Sequence, residues 1–332
     1  MVYCLCVVAT LFFFNGTIKS MEVMEVAEKP DSGWANYMPL TMYNYFFQSS
    51  LVMEHNKEKI KKYTVHGIKT IAIDGNRGGY NALADYPRMK VKIEQIHNND
   101  VLEEVLIKAD KHIFPYITLN YNGPHLEIGL RPIDQKINFS KDIEVRLSLK
   151  NYQKIVTANN VDTTFISPIK SDILHLNVSS GATMQLPPIE ANTVELLAAE
   201  NSSVGMQDKA CIQAKDLLFI YRQDLAKILL AIETELLQVQ SHGKGETTLH
   251  GVADRQELLL NDGSFFGKDL RSKNIRMAQG LGEGQVELWA EDSISGFMLP
   301  KSKYDIAFRA PTRNSIELYP IEMDEWKARF EK

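Results

Sequence analysis

The stretch that decides the fold is residues 237–296, LQVQSHGKGETTLHGVADRQELLLNDGSFFGKDLRSKNIRMAQGLGEGQVELWAEDSISG. Apolar and polar residues alternate within its short runs, as they do in half-buried β-strands. Groups of Gly, Asn and Asp stand between the runs, and these residues tolerate the positive φ of tight turns. The stretch therefore predicts short strands joined by tight corners.

A strand-like triplet recurs about every twenty residues along the second half of the chain. The steps between the first residues of successive triplets are 21, 23, 20, 21 and 17, and the triplets begin at Ile173, Val194, Leu217, Leu237, Leu258 and Ile275. Such a period is typical of a β-solenoid (β-helix), in which each coil stacks its strands on those of the coil before. We expect an all-β solenoid with about twenty residues per coil. The alternative is a β-sandwich with regular turns.

One segment is ambiguous. Residues 223–240, QDLAKILLAIETELLQVQ, place apolar residues at helical spacings as well as in the twenty-residue register. We favour a strand because the register passes through the segment, and a helix there would remove one coil from the solenoid.

Residues 63–148 also alternate, in runs such as RMKVKIEQIH and DIEVRLSL, and predict an antiparallel-type β segment before the solenoid. Residues 2–14, VYCLCVVATLFFF, form an apolar run that reaches about 20 Å as a helix, short of the roughly 30 Å that a membrane span needs. This length fits the apolar centre of a secretory signal peptide. The predicted organisation is a signal peptide (1–20), an irregular aromatic leader (21–55), an N-terminal β segment (56–170), solenoid coils (171–320) and a charged tail (321–332).

Composition narrows the function classes. Hydrophobic residues make up 44% of the 332 residues and charged residues 24%, as in ordinary globular proteins. Lys plus Arg number 37 against 42 for Asp plus Glu, and this balance argues against a nucleic-acid partner. Cys4 and Cys6 lie in the signal sequence, which leaves only Cys211 in the body of the chain, too few for an intrachain disulfide.

The order of these segments resembles the GIN-domain family. The residues that carry the resemblance are Gly243-Lys244-Gly245, Leu249-His250-Gly251, Val252-Ala253 with Leu258, and Gly282-Glu283-Gly284 with Val286, Leu288 and Ala290. Tyr63 to Gly75 is similar to the family's opening, so the resemblance covers roughly residues 60–320. The corners at Ser179-Ser180-Gly181 and Asn201-Ser202-Ser203 are degenerate, and Arg222-Gln223-Asp224 lacks glycine.

The GIN family is described as putative auto-transporter adhesin head domains and as a domain of unknown function in exported bacterial proteins. The resemblance implies a β-helical fold, a place in the periplasm, on the outer membrane surface or outside the cell, and a binding or adhesive role. It carries over no catalytic, cofactor-binding or metal-binding residue, because the family has none assigned.

Four motifs resemble functional sites, and each has a simpler interpretation. Arg271-Ser272-Lys273 matches the Arg-x-Lys fragment of pectin-degrading β-helices, but without their Asp clusters. His242 and His250 straddle one corner without a metal-ligand spacing, and the residues from Asp74 to Gly79 look like a single Ca²⁺-repeat loop or a hairpin turn. Gly280-Leu281-Gly282-Glu283-Gly284 lacks the strand-then-helix context of a phosphate loop.

The sequence thus predicts a non-catalytic, exported cell-envelope binding or adhesion module. We assign it no catalytic, cofactor or metal residue and no cofactor. The expected partner is a surface ligand, either carbohydrate or protein, and self-association through the solenoid ends is also expected. The alternative is a carbohydrate-active β-helix protein that acts on or binds polysaccharide.

Overall fold

The computed structural model describes residues 52–55, 58–75, 87–98, 100–131, 142–208, 210–279, 282–298, 303–310 and 316–320. The predicted signal peptide, the tail and nearly all of the leader lie outside these residues. The described part is built of β-strands, with one 3₁₀ turn at Phe114–Tyr116. In chain order the strands are β1 (Val52–His55), β2 (Glu58–Val65), β3 (Thr70–Asp74), β4 (Met89–Gln95), β5 (Glu103–Asp110), β6 (Ile117–Asn122), β7 (His125–Leu130), β8 (Ile143–Leu149), β9 (Lys154–Ala158), β10 (Val161–Phe165), β11 (Ile169–Val178), β12 (Thr183–Leu186), β13 (Ile189–Ala198), β14 (Ser203–Met206), β15 (Ile212–Gln223), β16 (Lys227–His242), β17 (Glu246–Asn261), β18 (Ser264–Gln279), β19 (Glu283–Met298), β20 (Lys303–Arg309) and β21 (Ile316–Pro320).

These strands wind into a β-solenoid of about eight turns, as the sequence predicts. Each coil has three sides. Side 1 contains β9 and the second halves of β11, β13 and β15, side 2 contains β10, β12 and β14, and side 3 contains the first residues of β11, β13 and β15. From β16 to β19 a single strand of 16 residues runs along sides 2, 3 and 1 in turn.

The coil spacing agrees with the period read from the sequence. Ile169 pairs with Ile189, Ile189 with Ile212, and Ile212 with Ile232, which are steps of 20, 23 and 20 residues. The predicted triplets all lie on side 1 but are offset by one or two residues, since Ile173 aligns with Thr193 and Leu217 with Leu236. A bulge in β15 causes part of this offset, because β15 has one residue more between Ala214 and Leu217 than β13 and β16 have at the same place.

The ambiguous segment 223–240 is a strand over most of its length. Within β16, Ile228, Leu230 and Ile232 are buried, whereas Leu229 between them is 52% exposed. This alternation has the period of two that belongs to a strand. The helical spacing of the leucines therefore reflects a segment with apolar residues on both faces.

Antiparallel strands open the fold, again as predicted. β1, β2, β5 and β8 pair successively in antiparallel fashion, and β8 then pairs in parallel with β4, which continues into side 2 through β10. On side 1, β6 pairs with β7, and β7 leads through β3 to β9. The division of the chain at residues 56, 171 and 321 stays a prediction.

The inward side chains of all coils form one apolar column. Inward positions alternate with outward ones, as in β8, where Ile143, Val145 and Leu147 are fully buried. Burying this surface supplies the main driving force for folding, at about 25 cal/mol for each Å² removed from water. In the described part of the chain no helix is long and apolar enough to cross a membrane.

Left-handed residues form the tight corner between side 1 and side 2. The corner residues with positive φ are Asn159, Asn160, Ser180, Gly181, Glu200, Asn201, Asp224, Gly243, Asp262 and Gly263. The corners that look degenerate in sequence thus keep the same backbone geometry with Ser, Glu, Asn or Asp in place of Gly. Asn and Asp bear this conformation better than other side chains do.

Arg222 lies at one of the corners without glycine, beside Asp224, and its side chain is completely buried. One Nη atom donates to the carbonyl oxygens of Asp224 and Gly243, at 3.4 and 3.0 Å, and the other donates to that of Asp262 at 3.0 Å. A Cβ atom built on Gly245 or Gly263 would lie 2.4 Å from this guanidinium. The glycines of the next two coils therefore make room for the arginine.

Candidate ligand-binding groove

A groove of about 1080 Å³ runs along the solenoid where side 3 bends into side 1. It crosses six successive segments, from residues 151–153 through 170–172, 190–192, 213–215 and 233–235 to 252–254. Neighbouring strands lie about 4.8 Å apart, so the groove is about 24 Å long.

Two ladders of outward side chains form its walls. The first ladder consists of Lys170, Glu190, Gln213, Glu233 and Val252, each paired with the next across adjacent coils. The second ladder consists of Asp172, Asn192, Lys215, Glu235 and Asp254, which lie at the bend itself.

Small residues lie between the two ladders. Ser171, Ala191, Ala214 and Thr234 stack on one another along the groove and line its floor. Their size lets a ligand approach the backbone closely. At the bend two successive residues face outward, as Asn192 and Thr193 do in β13, so the strand turns without breaking the inward column.

Ion pairs and hydrogen bonds tie the ladders together from coil to coil. Lys170 pairs with Glu190 at 2.7 Å, and the Gln213 amide donates to Glu233 at 3.0 Å. On the second ladder, Glu235 and Asp254 pair with Arg255 and Lys273, which lie beside the groove, at 3.1 and 3.0 Å. The hydrogen bond to Asp254 and its negative charge raise the pKa of Lys273. Exposed pairs of this kind contribute at most about 1 kcal/mol each, so they order the side chains more than they stabilise the fold.

The groove carries more negative than positive charge. Five carboxylates line it, against three lysines at positions 69, 170 and 215. The carboxylates are not deeply buried, since the side chains of Glu235 and Asp254 are 57% and 46% exposed.

Beyond the groove the first ladder continues into a cation–π stack. Val252 is followed by Arg271, Trp289 and Arg309 on successive coils. The guanidinium carbons of Arg271 and Arg309 lie 6.0 and 4.2 Å from the centre of the Trp289 ring. The two arginines lie on the coils before and after that of Trp289 and so flank its indole ring.

The pectinase-like fragment makes structural contacts. Arg271 and Lys273 point outward, toward Trp289 and Asp254 respectively, while Ser272 between them is buried and hydrogen bonds to Gln256. Lys273 borders the second ladder but does not line the groove.

The two histidines that flank one corner in the sequence, His242 and His250, do not lie together in the structure. The His242 ring packs against Tyr221 at 5.7 Å on side 1, whereas His250 lies on side 3, with its Nδ1 atom 3.7 Å from Asp269. Of the loop that begins at Asp74, only Asp74 and Gly75 are described, and Asp74 accepts a hydrogen bond from Asn159 at 2.7 Å. Among the described residues no group of His, Cys, Asp and Glu is arranged to hold a metal ion.

The sequence did contain a signal for the groove that strand periodicity overlooks. A wall residue, a small residue and a polar residue recur as Lys170-Ser171-Asp172, Glu190-Ala191-Asn192, Gln213-Ala214-Lys215, Glu233-Thr234-Glu235 and Val252-Ala253-Asp254. Their common small centre marks the floor, and the flanking residues mark the walls.

Residues 80–216 match the model of the family described as "Putative auto-transporter adhesin, head GIN domain". The resemblance to the GIN family is confirmed. The GIN match begins after β3 and ends within β15, upstream of the stretch 237–296 that carries the clearest repeats. The matched residues include the first three of the five triplets that form the groove, 170–172, 190–192 and 213–215.

Three solved structures each align with 80% of this chain. A putative adhesin from Bacteroides fragilis is 9% identical over 98% of its own length, with a TM-score of 0.48. A putative lipid binding protein from Parabacteroides distasonis is 13% identical over 98%, with a TM-score of 0.44. A putative adhesin from Parabacteroides merdae is 17% identical over 97%, with a TM-score of 0.41. No curated protein matches the chain.

Proposed function

We propose that this chain is a non-catalytic adhesion-type binding module of the cell envelope, exported by its N-terminal segment, and that the groove is its binding surface. The groove is the observation that carries the proposal, because it presents two aligned ladders along six coil segments. The family description supports the adhesive role. An elongated groove suits an extended ligand that repeats along its length.

Blocking the groove tests this role. Asn192→Trp places a large side chain at an exposed position of the second ladder, at the bend of β13. Ser203→Trp is the matched control, since it makes the same change at an exposed strand position on side 2. Beads coated with the full chain are incubated with bacterial cells, and bound cells are counted. We expect Asn192→Trp to abolish binding and Ser203→Trp to preserve it. Equal binding by both variants would refute the role of the groove.

Export is tested separately. The full chain is expressed in a bacterial host, fractionated and sequenced from its N-terminus, beside a variant in which Val7 and Leu11 are both changed to Arg. Charges within the apolar run should hold the chain in the cytoplasm. The proposal fails if the unchanged chain also stays there, or if the variant is exported equally well.

The glycoside-cleaving alternative gains little from the groove. Glu233 and Glu235 lie two residues apart on the same face of one strand, about 6.6 Å between Cα atoms, and so supply a pair of neighbouring carboxylates. A glycosidase also needs one carboxyl group that burial keeps protonated. The groove's carboxylates are about half exposed or held by a hydrogen-bonding partner. Release of reducing sugar from a bound polysaccharide would support the glycoside-cleaving function instead.

A further inference from the structure

We infer that the groove binds a single chain of an uncharged, linear polysaccharide, laid parallel to the solenoid axis. This inference rests on the proposed function and names the class of its ligand. Three features of the groove support it: the spacing of the two ladders, the bonding of the backbone and the ion pairs of the walls.

The two ladders repeat at a regular spacing along the groove. Each coil contributes one side chain to each ladder, so equivalent side chains recur about every 4.8 Å along the groove. This repeat is close to the length of one sugar unit in an extended polysaccharide. A chain lying along the axis would therefore meet equivalent hydrogen-bonding groups at successive units, and the small floor residues would let its rings lie close to the protein.

The backbone under the first ladder and the floor of the groove is paired across the coils, whereas the bend residues of the second ladder, such as Asn192 and Glu235, stand outside these pairings. The segments of β13, β15 and β16 that form the first ladder and the floor pair with strands on both sides. An extended peptide binds a sheet mainly by adding to a free strand edge, and the groove offers no such edge within these segments. Recognition must come from side chains, and carboxylates and amides suit a ligand rich in hydroxyl donors.

The charges of the walls are largely neutralised by ion pairs. Glu190 pairs with Lys170, and Glu235 and Asp254 pair with Arg255 and Lys273 beside the groove. A polyuronate or a sulfated glycan would have to compete with these carboxylates for their cations. A neutral polysaccharide avoids this competition and leaves the ion pairs intact.

Affinity electrophoresis of the full chain tests the inference. Native gels contain one of several uncharged linear polymers (mixed-linkage β-glucan, glucomannan, arabinan, dextran or pullulan) or an anionic one (polygalacturonate or heparin). We expect at least one uncharged polymer to retard the chain and the anionic polymers not to. Asn192→Trp, and independently Lys215→Trp, should weaken the retarding affinity about tenfold or more, whereas Ser203→Trp should leave it unchanged. Circular dichroism establishes that each variant folds.

Retardation by none of the uncharged polymers, or stronger retardation by the anionic ones, overturns the inference. So does retardation that both groove variants retain. If the gels show no retardation while Asn192→Trp still abolishes attachment to cells, the groove is a binding surface for another ligand, and only its assignment to polysaccharide fails.

Discussion

A single buried arginine ties the corners of three successive coils together. Arg222 donates to carbonyl oxygens of its own coil and of the next two, and burial lowers its pKa. We expect Arg222→Met to lower the free energy of unfolding by about 3 kcal/mol, because three partly buried carbonyl oxygens lose a charged donor. Arg222→Lys should restore little, since an ammonium group cannot reach the carbonyls in a planar fork. Urea denaturation measures both, with the exposed Arg276→Met as the control, which should change stability by less than about 0.5 kcal/mol.

Lys61 gives the fold a dependence on alkaline pH. Burial and the nearby Lys59 lower its pKa from 10.5 to about 8, and its ammonium group lies 5.4 Å from the centre of the Phe114 ring. Between pH 8 and 10 the unfolded chain therefore binds more protons at this residue than the folded chain does, so stability rises with pH over this range. Lys61→Met should remove the rise and stabilise the fold at pH 7 by about 1 to 3 kcal/mol. Melting temperatures at pH 7 and pH 9.5 check this, and an unchanged rise in the variant would contradict it.

At the scale of the strand, one glycine permits the long strand β17 to turn between two sides. Gly251 has a φ of +114°, and a Cβ atom there would lie 2.1 Å from the carbonyl oxygen of Ile232 on the coil before. Gly251→Ala should therefore cost about 3 kcal/mol or more. The control is Gly123→Ala, at a φ of +55° with no atom within 4 Å of the added Cβ, which should cost only about 1 kcal/mol. Similar losses in the two variants would show that strain at Gly251 arises from φ alone.

How far the sequence predicts these elements depends on which interactions set them. The strands and the twenty-residue period follow from local features, namely the alternation of apolar and polar residues and the turn residues. The strand predicted for most of residues 223–240 is confirmed as β16. Strand periodicity alone does not find the groove, because its walls depend on register across coils, and the bulge in β15 between Ala214 and Leu217 shifts that register. The role of Arg222 was missed because its partners lie up to 40 residues away.

For the whole molecule, the stacked coils predict a gradient of local stability. The strands of β16 and β17 pair on both sides, whereas β20 and β21 pair only with β19 within the described part of the chain. In repeat folds each unit is stabilised mainly by its neighbours. Hydrogen exchange followed by mass spectrometry should show the slowest amides in β16 and β17 and faster exchange in β20 and β21. Uniform protection along the chain would mean that the solenoid opens only as a whole.

The order of strands on side 2 also determines how the molecule would respond to force. From β1 to β20 thirteen strands follow one another, so the two ends of the described chain lie at opposite ends of the stack. The hydrogen bonds between coils run along the line that joins those ends. A pull on the ends therefore loads the bonds of one coil at a time, and each coil that peels away releases about twenty residues, or roughly 70 Å of slack. A ligand bound in the groove would therefore stay bound while coils at the far end of the stack unwind.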